Sequence, residues 1–203
     1  MSWLYRGVKS ITPESANWNY CGMHILDLSQ KSRHELEFTN FEGVLLSLSA
    51  QNVTVIVDQI EFKLIGRTGV FAGISDWIYI PVGAHVKIAG STGLLALSTA
   101  QATKVFPVAY TNKESVSVEI RGSGFATRQV NNIATPDSFN GAEKILVCEV
   151  LTPGGNWSSW PPHRHDGIAD CQFNNEEIYY FQIGKQDLDY GSSDGHGFFK
   201  VYS

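Results

Sequence analysis

The chain has 203 residues and a net charge of −5; 43 % of it is hydrophobic and 17 % charged. That apolar share supports a packed core and excludes an intrinsically disordered chain, and an acidic balance without any basic block argues against nucleic acid as a partner. No apolar run approaches the roughly 18 residues that a membrane-spanning helix needs. The opening stretch MSWLYRGVKS lacks the continuous apolar segment of a signal peptide. Cys21, Cys148 and Cys171 lie far apart and form no CxxC motif, which reads as reduced thiols and predicts a cytoplasmic protein.

Residues 1–40 are largely irregular, with a short strand in CGMHILDLSQ (21–30) and an alternating one in HELEFTN (34–40), where Leu36 and Phe38 share a face. Six runs follow at short spacing: GVLLSLSA (43–50), NVTVIVDQ (52–59), IEFKLIG (60–66), DWIYIPVG (76–83), HVKIAG (85–90) and LLALSTA (94–100). Gly, Asn, Asp or Pro punctuates most of the gaps, and no segment sustains a helical period, so the fold class is all-β, a sandwich or barrel. A second series starts near residue 114, with strands predicted at SVSVEIRG (115–122), KILVCEVLTP (144–153), EEIYYFQIG (176–184) and HGFFKVYS (196–203). The Gly- and Asn-rich stretch RGSGFATRQVNNIATPDSFN (121–140) is expected to be a connection. The polar stretch VAYTNKE (108–114) divides two β modules, 1–113 and 114–203. The second module is short for a closed barrel and would leave edges unpaired and part of a core uncovered. The sequence therefore predicts an incomplete second module, with the first module, a second subunit in a homo-oligomer, or absent strands as the cover.

The stretch WSSWPPHRHDGIADCQFNNEEIYYF (157–181) carries the chemistry. On an extended backbone, His163 and His165 project to one side and Arg164 to the other. Two imidazoles so placed can grip one divalent ion at about 2.0–2.1 Å per nitrogen. Pro161 and Pro162 stiffen the approach. A carboxylate from the next run, Glu176 or Glu177, is the candidate third ligand. Two imidazoles and a carboxylate suit Zn, Mn, Fe, Co or Ni without choosing among them.

An H-x-H pair followed by a Glu, six residues and a Gly resembles the end of the first cupin motif. His163, His165, Glu177 and Gly184 match it, and the count selects Glu177 over Glu176. The gap between His165 and Glu177 is eleven residues, longer than in the common cupin pattern, and an inserted hairpin loop at DGIADCQFNN (166–175) would account for it. Taken together, GGNWSSWPPHRHD (154–166), EEIYYF (176–181), GFFKVYS (197–203) and RGSGFATRQVNN (121–132) resemble the 5-deoxyglucuronate isomerase family of myo-inositol catabolism, related to the 4-deoxy-L-threo-5-hexosulose-uronate ketol-isomerases.

That resemblance implies a bicupin, two tandem β-barrels with a metal-free N-terminal one, and a C-terminal one that holds its metal with three His and one Glu. It implies a metal-dependent aldose–ketose isomerase converting 5-deoxy-D-glucuronate to 5-dehydro-2-deoxy-D-gluconate. Trp160 stands where the family has a Tyr. The family's fourth ligand, a His beyond the strand matching GFFKVYS, has no counterpart, so three ligands are expected. His196, the histidine downstream of Glu177, sits in a turn-like SSDGHGFF and does not match it. Glu177 is a candidate base and Tyr179 shares its side of the run. For the uronate carboxylate the candidates are Arg128, then Arg121, since a guanidinium binds a carboxylate through two parallel bonds. Asp166 is expected to serve the turn or to orient a histidine. His85, in IPVGAHVKI (80–88), partly matches a second cupin motif but is expected to be structural. Two other classes compete with the isomerase: a cupin dioxygenase, and a non-catalytic bicupin that binds sugar acids or only assembles.

Overall fold

A computed structural model describes residues 9–168, 174–184 and 195–200. Among them the chain forms β1 (Ser10–Ile11), a short helix α1 (Pro13–Ala16), β2 (Cys21–Asp27), β3 (Arg33–Glu37), β4 (Phe41–Ser47), β5 (Gln51–Val57), β6 (Ile60–Gly66), β7 (Trp77–Ile80), β8 (His85–Ala89), β9 (Leu94–Gln101), β10 (Ala109–Thr111), β11 (Ser117–Arg121), β12 (Arg128–Ala134) and β13 (Val147–Leu151). The chain is all-β, as its sequence predicts. No helix among the described residues is long and apolar enough to cross a membrane.

The N-terminal strands make two antiparallel sheets, ordered β1-β2-β9-β4-β7-β10 and β3-β8-β5-β6. Leu45, Ile78, Ile80, Leu95 and Leu97 of the first sheet face Val53, Val55, Val57, Leu64, Val86 and Ile88 of the second across a buried core. This is a cupin-like β-sandwich. β5 alternates between buried and solvent-facing side chains, as a strand covered on one face must. β4 and β7 are buried almost throughout, because the six-stranded sheet is covered on both faces. Its outer face, with Val44, Leu46, Trp77, Tyr79 and Ala96, packs against Val116, Ile133, Ala134, Phe139, Ile145 and Val147. The ring of Phe139 meets Trp77 and Tyr79 at centroid distances of 5.2 Å each. The predicted boundary region thus separates two strand series that share a second core. β10 still pairs with β7, and the chain turns away at Lys113–Ser115.

Polar staples reinforce that shared core. Glu42, on β4, has 0 % exposure. Its carboxylate accepts the main-chain N–H groups of Glu143, Lys144 and Ile145 at 2.9, 2.5 and 2.8 Å and the Tyr79 hydroxyl at 2.7 Å. Burial, and then the bond to Glu42, hold the Tyr79 hydroxyl far above the usual phenol range. Glu143 in turn accepts the N–H groups of Thr103 and Lys104, both at 2.7 Å. Arg67, buried at 4 % exposure, donates to Glu149 on β13 through both terminal nitrogens and to the carbonyls of Ser47 and Gly73 at 2.8 Å.

The second series differs from its sequence expectation in three places. The stretch 121–140, expected to be a connection, contains β12, the central strand of the sheet β11-β12-β13. Asn is a poor strand former, but Asn131 and Asn132 are buried with their amides donating to Glu149 and Glu119, which removes the desolvation cost that made them look like loop residues. Conversely, 176–184 is not a regular strand. It has no laddered neighbour among the described residues and is held by individual bonds instead. Residues 196–200 are likewise irregular, and the rest of that predicted strand lies outside the described residues.

Replacing Glu42 with Ala would leave three part-buried N–H groups and the buried Tyr79 hydroxyl without their acceptor. Denaturant unfolding should show a loss of about 3–5 kcal/mol for that variant, against about 2 kcal/mol for Tyr79→Phe, which removes one donor and leaves the amide partners in place.

Candidate metal centre

His163 and His165 do not lie on a hydrogen-bonded strand. They sit on an irregular run that leaves the aromatic turn after β13. That turn is fixed by Trp157 N–H donating to the Phe125 carbonyl at 2.8 Å and by the Asn156 amide donating to the Thr127 carbonyl at 2.8 Å. Trp160 packs edge-on against Phe125 at 5.5 Å. Beyond it, the two imidazole rings lie 5.1 Å apart, edge to face.

The run 174–177 closes onto this pair. Asp166 and Asn174 form an isolated antiparallel bridge, and Asn175 N–H donates to the His165 carbonyl at 2.8 Å. Asn174 and Asn175 thus lie beside Asp166 and His165; residues 169–173, with Cys171 and the centre of the expected inserted loop, lie outside the described residues. Glu177 Oε1 is 3.6 Å from His165 Nε2, and Glu177 Oε2 accepts the Tyr179 hydroxyl at 2.7 Å. Burial first, then the bond to Glu177, raises the Tyr179 hydroxyl well above the ordinary phenol range, so it stays a donor. Phe181 and Phe199 pack on the Tyr179 ring at 5.9 and 5.3 Å.

Glu176 and Glu177 point in opposite directions, as neighbours on an extended backbone do. The Glu176 carboxylate accepts the N–H groups of Asn19, Tyr20 and Cys21 at 2.7, 2.7 and 2.9 Å. It is committed to the backbone before β2, and Glu177 is the carboxylate turned towards the histidines. The Cys21 thiol donates to the Glu176 carbonyl at 3.1 Å. Its pKa is pushed up to about 11 by burial, and secondarily by the charges of Glu176 and Glu177.

The donor set fits a divalent ion on two counts. His163 Nδ1 lies 3.1 Å from the Pro161 carbonyl; a carbonyl only accepts, so Nδ1 is the donor in this bond and Nε2 is the ring nitrogen left to face an ion. His165 and Glu177 stand 3.6 Å apart, close to the roughly 3.4 Å that separates two ligands about 2.1 Å from one tetrahedral ion. His165 Nδ1 is buried with no hydrogen-bond partner among the described residues, so no bond from that side orients the ring. Among the described residues no group of three His, Cys, Asp or Glu side chains is placed to hold a metal ion; His163 neighbours His165 and His165 neighbours Glu177, but the three are not drawn together around one point. His196 packs against Phe198 at 5.5 Å. His85 is paired on the surface, its Nε2 2.7 Å from Glu35.

The two arginines lie on one face of the second sheet. Residues directly opposite in an antiparallel pair share a face, and Arg121 stands opposite Arg128, Glu119 opposite Val130, and Asn132 opposite Cys148. The other face carries Asn131 and Glu149 to Arg67. Arg121 Nε donates to Glu119 at 2.7 Å, and Arg128 donates to the Ala126 carbonyl at 3.0 Å. Glu119, Arg121, Asn132, Asp137 and Cys148 line a cleft on this face. Cys148 is accessible to solvent, yet crowding by protein is the largest cause raising its thiol; Arg121 lowers it and Glu177 raises it. The face therefore lies within electrostatic reach of Glu177. Sequence reasoning named the histidines, Glu177 and both arginines as candidates; it did not foresee the bonds that anchor Glu176 or the Glu119–Arg121 pair.

The chain belongs to the KduI/IolB family, whose pattern it matches over residues 5–203. It is 33 % identical over 203 residues to the 5-deoxy-glucuronate isomerase of Geobacillus kaustophilus, covering 97 % of this chain and 69 % of that protein. It is 35 % identical to the protein of the same name from Geobacillus thermodenitrificans, covering 87 % and 65 %. A crystal structure of an IolB-like protein from Salmonella typhimurium superimposes with a TM-score of 0.74 at 29 % identity, over 81 % of this chain and 63 % of that one. The chain thus spans about two thirds of the length of the relatives it matches.

The raised Cys21 pKa has a definite sign. A thiol that deprotonates near pH 11 in the folded state and near 9.0 when unfolded adds stability below pH 9, and that contribution is lost as pH rises from 9 to 11. In a Cys148→Ser, Cys171→Ser background, alkylation of Cys21 should stay slow through pH 9 and accelerate towards pH 11. A half-maximal rate near pH 9 would contradict the protection described.

Proposed function

We propose that this chain carries the metal-binding and substrate-binding groups of an aldose–ketose isomerase that acts on 5-deoxyglucuronate in myo-inositol catabolism. The observation that carries the reading is that His165 neighbours both His163 and Glu177 in a chain whose relatives are named 5-deoxy-glucuronate isomerase. His163, His165 and Glu177 would hold the ion, which when bound polarises the sugar carbonyl and its neighbouring hydroxyl.

Glu177 is the candidate base, a role that requires it to leave the ion during turnover: it would take a proton from the carbon beside the carbonyl and return it to the carbonyl carbon, while the hydroxyl proton passes to the carbonyl oxygen, through an enediol-like intermediate. Tyr179 holds the second oxygen of Glu177 and offers its hydroxyl proton on the same side. Among the described residues, Arg121 is bonded to Glu119 through Nε, which orients the guanidinium and leaves its terminal nitrogens for two parallel bonds to the uronate carboxylate. Arg128, opposite it in register, adds a second positive charge on that face. A non-catalytic sugar-acid-binding role is the alternative, supported by the finding that among the described residues no three such side chains are placed to hold a metal ion.

Assayed without oxygen, the protein should convert 5-deoxyglucuronate to its ketose isomer and lose that activity on treatment with EDTA. His163→Ala should abolish metal uptake and lower turnover by about 100-fold or more. Arg121→Ala should raise KM for the uronate by about 10- to 100-fold, the equivalent of one or two charged hydrogen bonds. Ligand-dependent stabilisation without turnover would favour the binding role, and oxygen uptake with the sugar would sink the isomerase.

A further inference from the structure

We propose that Glu176 is the positioning residue of the candidate centre, seating its carboxylate on the N–H groups of Asn19, Tyr20 and Cys21 so that the 174–177 run is clamped and Glu177 is held beside His165. The proposal rests on the metal-centre reading and names a residue that acts through Glu177 rather than on the substrate.

Three observations support it. First, the Glu176 carboxylate meets three successive main-chain donors at 2.7–2.9 Å. Such a cradle fixes a carboxylate in orientation as well as position, because both oxygens are engaged. Second, the same residue is fixed through its main chain, its carbonyl accepting the Cys21 thiol at 3.1 Å. Third, the run joins no sheet ladder among the described residues. Its ties on the opposite side are the isolated Asp166–Asn174 bridge and the Asn175 N–H, which donates to the His165 carbonyl at 2.8 Å. The 174–177 run is thus fastened at one residue to a candidate ligand and at the next to the segment that opens β2. Glu177 follows directly, and its Oε1 lies 3.6 Å from His165 Nε2. Releasing Glu176 removes the anchor that sets this separation.

The test compares Zn²⁺ affinity by calorimetry for the wild-type chain, His163→Ala, Glu176→Gln and Glu143→Gln. Glu143 is the control, since it also binds consecutive N–H groups, those of Thr103 and Lys104, but outside the centre. Cys21 alkylation is followed in parallel on metal-free protein carrying Cys148→Ser and Cys171→Ser. Glu176→Gln should weaken Zn²⁺ binding by about 10- to 100-fold, the range for residues that orient a ligand, and should speed Cys21 alkylation. Glu143→Gln should lower thermal stability and keep wild-type affinity. Wild-type affinity in Glu176→Gln, or an equal loss in Glu143→Gln, would overturn the proposal. If the wild-type chain takes up no Zn²⁺, the metal reading fails separately. The alkylation rate then decides: an unchanged rate in Glu176→Gln discards the clamp, and a raised rate retains it.

Discussion

Glu42 has no contact with solvent in the middle of β4, and an ionised carboxylate there has to recover from the protein what it loses from water. It does so on the main chain of 143–145 and on Tyr79. This one interaction decides where the second strand series lies. It pins the segment that leads into β13 against the outer face of the six-stranded sheet, where Phe139, Ile145 and Val147 can cover Trp77 and Tyr79. Glu143, at the start of the pinned segment, repeats the device on Thr103 and Lys104, and Glu176 repeats it on Asn19 to Cys21. In each case a glutamate satisfies consecutive amide donors of a distant segment. Charge-assisted bonds of this type are stronger than those between neutral groups, and they impose a register that apolar contact alone would leave loose.

Much of this was legible in the sequence, and the reason differs by element. The alternation in NVTVIVDQ and the unbroken apolar runs in GVLLSLSA and DWIYIPVG mark strands covered on one face and on two faces. The structure gives β5 and β4 those environments. β12 was hidden because its burial depends on Asn131 and Asn132, whose amides find carboxylates only after the sheet has formed. The run 176–184 misled in the opposite direction. Its apolar residues have strand character, but Tyr179 and Phe181 stack on one another and on Phe199 instead of joining a ladder.

The candidate centre follows the same division. H-x-H and the following Glu are local signals, visible because ligand chemistry requires those residue types at short spacing. Which of two adjacent glutamates faces the histidines is not a local property. It depends on Asn19, Tyr20 and Cys21, more than 150 residues earlier in the chain, and no pattern near residue 176 announces them. The arginines were candidates because a guanidinium can bind a carboxylate through two parallel bonds. Their shared face, and the Glu119 that orients Arg121, needed the register of β11 against β12.

The bond between Glu176 and the loop before β2 also has a thermodynamic side. Coupling between two sites is reciprocal: if ordering one favours occupancy of the other, occupancy favours the order by the same free energy. A ligand that needs Glu177 in place therefore draws on the residues 19–21 without touching them, and in return tightens the start of β2. Since β2 is laddered to β9 along its whole length, the stiffness so gained enters the N-terminal sandwich itself. The N-terminal module, with no ligand of its own assigned, becomes a thermodynamic partner of the site it supports.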